Sequence, residues 1–348
     1  MAKTLLIIGP FGAGQLPHSF ARAFESLGHR VVRYDSDAAY LQRSGVTRHR
    51  LVRRLLRPHL WNAMNREVLD LVSRTRPDGV LTVKGTFLHP RTIASIRDRL
   101  AVPIANYYAD NPYCGVPWSP RKSSTQRRDL VEALREYTRV WIWEPGMAAR
   151  LDADGVRSAY LPFGVDPEAF HPLPEGEGEG GTRRHDVVFV GQHSDKRQAH
   201  LAAVRRPVAV WGSRWQRAAA AIGGRHQIHP DGLFGEQCAR AYATASVSLN
   251  IVDDLNMPGH NMRTFEIPAS GGLMLATYTR EQAEMFPPGE AALYYDDPRD
   301  IDRLLDGVLG DPARLQRMRR TALALSARHH YRERARTMAL AFWPEQDR

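Results

Sequence analysis

Two series of short apolar runs, separated by one polar segment rich in glycine, constrain the fold of this chain more than any other feature. The first series lies at residues 5–9, 29–35, 79–85, 102–110, 139–144 and 158–165, and the second lies at residues 185–191, 208–212, 246–252, 272–278 and 291–295. Helical patterns lie between the runs, and an alternation of strands and helices predicts parallel sheets covered by helices on both faces. The sequence therefore predicts an α/β protein with two Rossmann-like, doubly wound domains facing a cleft.

The segment PLPEGEGEGGTRR, residues 172–184, interrupts this alternation. It has few apolar residues and many Gly, Pro and Glu residues, which is typical of a linker. We therefore expect an N-terminal domain over residues 1–171, a linker over residues 172–184, and a C-terminal domain over residues 185–325. A helical, basic stretch follows this second domain.

The composition is that of a globular protein, with 43% hydrophobic and 25% charged residues. No run approaches 18 apolar residues, so we expect no transmembrane helix, and the start of the chain resembles a first β-strand more than a signal peptide. Cys114 and Cys238 are far apart in the sequence. A disulfide framework is therefore not expected, and a reducing, cytoplasmic location is.

The formal net charge of +10 favours anionic partners such as nucleotides, phosphates or acidic lipid surfaces. The basic run at residues 43–59 would form a helix with Val52, Leu55 and Leu56 on one side. A solvated helix face explains this run best, and a peripheral contact with an anionic membrane is the alternative. Aromatic residues are sparse in the run, so no nucleic-acid partner is expected.

The first strand is followed by the turn GPFGAGQLPHSF. Glycines at such a turn allow backbone N–H groups to approach a phosphate or a sugar. Gly12 and Gly14 fit a dinucleotide fingerprint, but its third glycine position holds Pro17. This favours a loop of Gly12, Ala13 and Gly14 that lines the cleft, over a dinucleotide site or a purely structural turn.

Asp110 is the first candidate for a catalytic base. It lies in NYYADNPYCG, at the carboxyl end of the fourth predicted strand, in a turn that Pro112 fixes. An Asx-turn without a catalytic role explains the same residues equally well. The second candidate is His18, in the first turn of the first helix, although a lone histidine is more often structural.

Three other acidic residues are weaker candidates. Asp35 and Asp37 form a D-x-D tripeptide, which some sugar-nucleotide enzymes use to hold a metal ion, but such residues are also common at strand ends and helix caps. No metal site is therefore expected. Glu144 lies in WEPG, where the Pro-Gly turn explains it well.

The segment FVGQHSDKR contains a strand, a turn at Gly191, and Lys196 and Arg197 at the start of a helix. Basic side chains beside the N–H groups of a helix start can hold a diphosphate. This turn opens the second domain, which is where a nucleotide would bind in a doubly wound sheet. We therefore expect this turn to be functional.

The segment HNMRTFEIPASGG, residues 260–272, places one carboxylate, Glu266, inside an apolar helix. A buried charge is costly unless it has a partner. Glu266 could accept both hydroxyls of a ribose, while Arg263 and the backbone N–H groups near Asn261 and Met262 meet a phosphate. A purely structural pair of Arg263 with Glu266 is the alternative.

Together with LPFGVDPEAFHP at residues 161–172, these two segments resemble the GT-B glycosyltransferases. More narrowly, the chain resembles the CgeB-like spore-maturation group of glycosyltransferase-like proteins. The resemblance covers mainly residues 158–300. The N-terminal half is similar only through the glycine-rich turn and YYADNPY.

The resemblance implies a nucleotide-diphosphate sugar, with UDP- or dTDP-sugars favoured, bound by the C-terminal domain, and an acceptor bound by the N-terminal domain. Protein cations and helix dipoles would stabilise the leaving diphosphate, so catalysis would be metal-independent and need no cofactor. The donor-binding residues that it implies are Gly191, Arg197, Trp211, Gly212, His260, Asn261, Met262, Arg263, Glu266, Ser270 and Gly271.

Many retaining GT-B enzymes have two glutamates with seven residues between them, and the first would fall at Pro258 here. An inverting reaction would instead need a general base, Asp110 first and His18 second. The resemblance also implies a final helix, within residues 326–348, that crosses back to the N-terminal domain. A non-catalytic sugar-nucleotide or glycan-binding protein remains an alternative, and an NAD-dependent oxidoreductase, against which Pro17 argues, is a weaker one.

Overall fold

A computed structural model describes residues 1–12, 14–41, 50–113, 124–174, 185–222 and 224–344. The chain forms two compact units. The first unit comprises Met1–Pro162 together with Tyr331–Arg348, and the second comprises Phe163–His330.

The first unit contains a parallel sheet with the strand order β2-β1-β3-β4-β5-β6. Its strands are β1 (Thr4–Gly9), β2 (Arg30–Asp35), β3 (Gly79–Val83), β4 (Ile104–Tyr108), β5 (Arg139–Ile142) and β6 (Ser158–Tyr160). Its helices are α1 (Leu16–Ser26), α2 (Ser36–Leu41), α3 (Arg50–Thr75), α4 (Pro90–Ala94), which continues as a π-helical turn (Ser95–Arg99), α5 (Ser124–Arg135), α6 (Pro145–Ala153) and, from the end of the chain, α13 (Tyr331–Phe342). Because the strands are parallel, their carboxyl ends lie along one edge of the sheet.

Helices cover this sheet, and its inner strands are accordingly apolar along their length. All residues of β3 and β4 are buried. On one side, Phe20 of α1 packs edge-on against Tyr331 of α13, with 5.1 Å between the ring centroids. The helix that comes last in the sequence therefore contributes to the core of the first unit.

The second unit contains a parallel sheet with the strand order β12-β11-β10-β7-β8-β9. Its strands are β7 (Val187–Val190), β8 (Ala209–Trp211), β9 (Gln227–His229), β10 (Val247–Asn250), β11 (Met274–Thr277) and β12 (Ala292–Tyr295). Its helices are α7 (Asp195–Ala203), α8 (Glu236–Thr244), α9 (Arg263–Ala269), α10 (Arg280–Met285), α11 (Ile301–Leu309) and α12 (Pro312–Ser326), with short 3-10 helices at Trp215–Arg217, Asp254–Asn256, Pro298–Asp300 and Ala327–His329.

The α/β fold class with two doubly wound domains is confirmed. Each predicted apolar run corresponds to a strand, although most strands end before the run does. The sequence did not predict β9, which pairs only with β8 at the edge of its sheet. Its three residues, Gln-Ile-His, contain a single aliphatic side chain, because an edge strand needs no continuous apolar run.

The N-terminal part of the first unit ends at Pro162, whereas the sequence placed the end of the N-terminal domain at residue 171. Residues after Pro162 bond within the second unit. The backbone N–H of Phe163 donates to His260 Nε2, and that of Val165 donates to the carbonyl of His329. Residues 175–184 of the predicted linker lie outside the described residues. Within the described part of the chain, no helix combines the length and apolarity that crossing a membrane requires.

Candidate functional site

The turn after β7 is held by close backbone packing. The N–H of Gly191 donates to the carbonyl of Trp211 over 2.9 Å, and the indole N–H of Trp215 donates to the carbonyl of Gly191 over 2.8 Å. Gly212 has a φ of +148°, and a Cβ there would lie 2.1 Å from the carbonyl oxygen of Gly191. Only glycine allows these two strand ends to approach so closely.

Two guanidinium groups lie on either side of Gly191. Arg263 Nε donates to the carbonyl of Val190, and Arg197 Nη1 donates to the carbonyl of Gln192 over 2.8 Å. Arg197 is buried, and burial together with the positive charge of Arg263 lowers its pKa to about 10. The closest carboxylate to Arg197 is that of Asp253, with 3.7 Å between Nε and Oδ2.

Glu266 lies in α9, one helical turn after Arg263, and is 9% exposed. Its carboxylate has no hydrogen bond or ion pair with a described residue, although Arg263 is near enough to affect its titration. Burial raises the pKa of Glu266 to about 7, and the charge of Arg263 opposes this rise. The tight structural pair of Arg263 with Glu266 is therefore absent from the described residues.

Helix α8 lies on another side of the Glu266 carboxylate. Burial raises the pKa of the Cys238 thiol to about 12, and the negative charge of Glu266 adds to this shift. The hydroxyl of Tyr242 has its pKa raised by the same two influences, among others. Glu266 therefore lies beside one arginine and weakly polar groups, which is an unfavourable environment for an unligated carboxylate.

A buried network of amide and hydroxyl groups fixes the start of α9. Asn261 donates from Nδ2 to Asn250 Oδ1 and accepts from the backbone N–H of Arg263 at Oδ1. Asn250 donates to Thr264 Oγ1, which in turn donates to Gln282 Oε1 over 2.8 Å. The three links between side chains are buried, and the bond from the Arg263 N–H is partly buried. The network therefore fixes the start of α9 relative to β10 and α10.

The remaining predicted residues around α9 have protein partners. His260 is fully buried; its Nε2 accepts from the Phe163 N–H and its Nδ1 lies 2.8 Å from Glu281 Oε2. Met262 precedes α9 and is half-buried. At the helix end, Ser270 Oγ donates to the carbonyl of Glu266, and the carbonyl of Gly271 accepts from Arg319.

Trp211 ends β8 and is half-buried. Its ring stacks on that of His229, with 4.5 Å between centroids and 8° between planes. Gly191, Arg197, Gly212, Arg263 and Glu266 are thus brought together around the turn after β7. The predicted roles of all these residues in binding a donor stay predictions.

In the first unit, Asp110 lies at the carboxyl edge of the sheet, as predicted. Its Oδ2 is 3.0 Å from Nζ of Lys84, and both side chains are largely exposed. His18 lies in the first turn of α1 and is half-buried. Their predicted catalytic roles are not tested by these positions.

The glycine-rich turn after β1 is open. Gly12 and Gly14 are exposed, and Gly14 has a φ of +72°. Ala13 lies outside the described residues. The carboxylate of Asp35 accepts from the backbone N–H groups of Phe11, Asp37 and Ala38, so it fixes the turn and the start of α2.

Other residues that the sequence singled out have structural partners. Glu144 caps α6 by accepting from the N–H groups of Gly146 and Met147. Lys196 Nζ lies 2.8 Å from Asp254 Oδ1. Cys114 and part of the basic run, residues 42–49, lie outside the described residues. Among the described residues, no group of three or more His, Cys, Asp or Glu side chains is placed to hold a metal ion.

Sequence analysis missed two features of the site. The first is the network of Asn250, Thr264 and Gln282, and the second is the hydrogen bond from Trp215 to Gly191. An asparagine inside the apolar run SVSLNIV was a signal for the first, because a buried amide requires partners. Nothing in the sequence indicated the second.

Residues 193–339 match a family model described as glycosyl transferase-like. No protein of curated function matches the chain. Solved structures match nearly its whole length. Sucrose-phosphate synthase from Thermosynechococcus elongatus has a TM-score of 0.75 at 13% identity, and the match covers 98% of both chains.

Two further structures are similar over the same length. HepE of Anabaena in complex with UDP-glucose has a TM-score of 0.66 at 11% identity, covering 97% of this chain and 98% of that one. The UDP-forming α,α-trehalose-phosphate synthase from Burkholderia xenovorans has a TM-score of 0.66 at 14% identity, covering 99% of both chains. At these identities the likeness shows the fold, and the chain therefore has the GT-B glycosyltransferase fold.

Proposed function

We propose that the protein is a glycosyltransferase that binds a nucleotide-diphosphate sugar, with a UDP- or dTDP-sugar favoured, in its second unit. The sugar passes to an acceptor hydroxyl without help from a metal ion. The observation that carries this proposal is the pair of guanidiniums, Arg197 and Arg263, beside the turn at Gly191, with the carboxylate of Glu266 close to Arg263.

The buried Arg197 and the half-buried Arg263 are near enough for their charges to repel each other, and a bound anion offsets that repulsion. Burial, and after it the charge of Arg263, lower the pKa of Arg197 to about 10. A diphosphate carries the charge that both guanidiniums require and accepts hydrogen bonds in the geometry that arginine offers. During transfer, the same cations stabilise the negative charge that develops on the leaving diphosphate.

The position of Glu266 favours a nucleotide as the ligand over a simple anion such as inorganic phosphate. A carboxylate beside a phosphate site would weaken the binding of inorganic phosphate by repulsion. Its two oxygens can instead accept the two hydroxyls of a ribose, which supplies donors that no described residue provides. The family match over residues 193–339 includes Arg197, Arg263 and Glu266, which supports the same assignment.

Finer assignments belong to the same proposal. The CgeB-like group and transfer of a hexose follow from the sequence resemblance. Asp110 is the proposed general base, with His18 second, because Pro258 replaces the first glutamate of the retaining pair. An acceptor that is a small molecule, a glycan, a lipid-linked glycan or a protein fits this proposal, and a contact of residues 43–59 with an anionic membrane fits a lipid-linked one.

The test measures nucleotide binding through its effect on the melting temperature of the protein. UDP, dTDP, GDP, ADP and NAD are added in turn, each with and without EDTA. We expect UDP or dTDP to raise the melting temperature in EDTA, since a ligand at 100 times its Kd stabilises the folded state by about 2.7 kcal/mol. No shift with any diphosphate, or a shift with NAD alone, would contradict the proposal.

A second test removes one guanidinium at the proposed site with Arg263→Met. Arg280→Met is the matched control, because it removes a guanidinium elsewhere in the same unit. Arg280 is also an arginine at a helix start, but it is highly exposed and pairs with the exposed Glu284. We expect Arg263→Met to weaken UDP binding by about 10- to 100-fold, the value of one or two charge-assisted hydrogen bonds. Release of UDP from UDP-glucose then separates a transferase from a protein that only binds the nucleotide.

A further inference from the structure

Lys84 has a left-handed backbone conformation, which is uncommon for a residue other than glycine. It directly follows β3 and has a φ of +64°, and Gly85 follows with a φ of +62°. The other non-glycine residues with positive φ in the described part of this unit are Arg76 and Ala101. Those two follow helical segments, where a left-handed residue commonly ends a helix. Lys84 follows a strand, so this explanation does not apply.

A buried polar group holds the Lys84–Gly85 turn in this conformation. Asn106 of β4 is fully buried, and its Nδ2 donates to the carbonyl of Lys84 over 3.1 Å and to Thr82 Oγ1 over 2.7 Å. The N–H of Lys84 donates to the carbonyl of Tyr107. The hydroxyl of the fully buried Tyr137 lies 3.2 Å from where a Cβ on Gly85 would be.

The ammonium of Lys84 lies among carboxylates at the carboxyl edge of the sheet. Its Nζ is 3.0 Å from Asp110 Oδ2, and the two side chains are 43% and 59% exposed. The pKa of Asp37 is raised by burial and by Asp35, and the charge of Lys84 opposes that rise. The charge of Lys84 therefore acts on Asp37, which follows β2, and on Asp110, which follows β4.

An exposed ion pair contributes little to stability because water screens it. A left-handed lysine, by contrast, is strained, and here it is held by hydrogen bonds from the buried Asn106 to its carbonyl and from its own N–H to the carbonyl of Tyr107. Stability of the fold would favour glycine at position 84, next to the glycine already at position 85. Such an arrangement is typical of a side chain that is placed for function.

We infer that Lys84 is a positioning residue for Asp110. Its ammonium holds Oδ2, which leaves Oδ1 of Asp110, without a hydrogen bond to any described residue, to accept a proton. The inference rests on the proposed function. Oδ1 takes the proton of the acceptor hydroxyl while the acceptor oxygen bonds to the anomeric carbon, and the bond from that carbon to the diphosphate oxygen breaks, leaving its electron pair on the diphosphate.

The test uses hydrolysis of UDP-glucose by the full chain, with water as the acceptor. Lys84→Met removes the charge and keeps the volume, and Lys84→Arg keeps the charge. Lys3→Met is the matched control, because Lys3 Nζ lies 3.4 Å from Asp78 Oδ1 in an ion pair of similar exposure in the same unit. We expect Lys84→Met to lower kcat about 100-fold with KM unchanged, as for a perturbed general base. Lys84→Arg should stay within about tenfold of the wild type, and Lys3→Met should not differ from it.

Equal kcat values for Lys84→Met and Lys3→Met would overturn the inference and leave the proposed function intact. A wild-type protein that binds UDP but does not hydrolyse UDP-glucose would overturn the inference, whereas one that binds no nucleoside diphosphate would overturn the proposed function. Thermal denaturation of Lys84→Gly is a second test, which does not depend on catalytic turnover. We expect its melting temperature to be above that of the wild type, because glycine relieves the left-handed strain. A lower melting temperature would show that Lys84 serves stability instead.

Discussion

Glu144 and Glu266 are buried to nearly the same extent, one in each unit, yet their carboxylates are in opposite environments. Glu144 is 7% exposed and accepts from two backbone N–H groups at the start of α6, over 2.9 and 2.6 Å. Glu266 is 9% exposed and accepts from no described donor, and burial raises its pKa to about 7.

Burial of a carboxylate therefore does not by itself indicate a binding site. A buried carboxylate with donors stabilises a helix start, since its charge also interacts favourably with the helix dipole. A buried carboxylate without donors lowers the stability of the free protein and is retained where a ligand supplies the donors. Four substitutions or conditions test this contrast.

Replacing Glu266 should have the largest effect, and it should act on binding. We expect Glu266→Gln to weaken UDP binding by about 100-fold, which corresponds to about 2.7 kcal/mol, because the amide can accept only one of the two ribose hydroxyls. Its free energy of unfolding at pH 8 should not fall, since the substitution removes a buried charge. Calorimetric titration and urea denaturation measure the two quantities. A large loss of stability would instead identify Glu266 as a structural residue.

Replacing Glu144 should have the opposite pattern. We expect Glu144→Ala to lower the free energy of unfolding by about 2 kcal/mol, because two N–H groups at the start of α6 lose their acceptor. UDP binding should be unchanged. Urea denaturation and calorimetric titration under the same conditions provide the check, and weaker UDP binding in a folded Glu144→Ala protein would contradict the contrast.

The pH dependence should follow the raised pKa of Glu266. The folded protein holds this proton up to about pH 7, whereas the unfolded chain releases it near 4.5. This group therefore lowers the stability of the free protein progressively as pH rises from about 4.5 to 7, and the loss is constant above pH 7. A ribose that binds the ionised carboxylate stabilises the deprotonated form and so favours release of the proton from Glu266 in the complex.

UDP binding should consequently be about tenfold weaker at pH 6 than at pH 8, since one pH unit below the pKa corresponds to about 1.4 kcal/mol. Glu266→Gln, titrated at the same two pH values, corrects for the ionisation of UDP itself. If the wild type and Glu266→Gln changed in parallel between these pH values, Glu266 would not be the titrating group.

Asp35 is an intermediate case and should show the smallest effect. It accepts from three backbone N–H groups, as Glu144 accepts from two, but it is only half-buried. We expect Asp35→Ala to lower the free energy of unfolding by about 1 kcal/mol, because water replaces part of what is lost. Thermal denaturation measures this effect. A fall in the free energy of unfolding as large as that in Glu144→Ala would show that the greater exposure of Asp35 does not reduce the contribution of its hydrogen bonds.

The strands and the turns that follow them could be predicted because their signals are local. Continuous apolar runs such as LLIIG and VVFV predicted buried parallel strands, and glycines after β1 and β7 predicted turns at the carboxyl edges. Strand β9 was missed since an edge strand has no such run. The sequence placed residues 163–171 in the N-terminal domain, whereas the structure groups them with the second unit. The hydrogen bonds of Phe163 and Val165 run to His260 and His329, which are distant in sequence.

The sequence by itself determined the two doubly wound sheets and the presence of Arg197, Arg263 and Glu266 in turns and helices that follow strands, because periodicity and glycine position are properties of neighbouring residues. Only the tertiary structure decided what these side chains contact. It placed two guanidiniums beside Gly191 and brought Lys84 to Asp110. It also gave Glu144 two donors and Glu266 none among the described residues. Burial and hydrogen bonding depend on residues far apart in the chain, and those contacts are what distinguish a structural carboxylate from one that is available to a ligand.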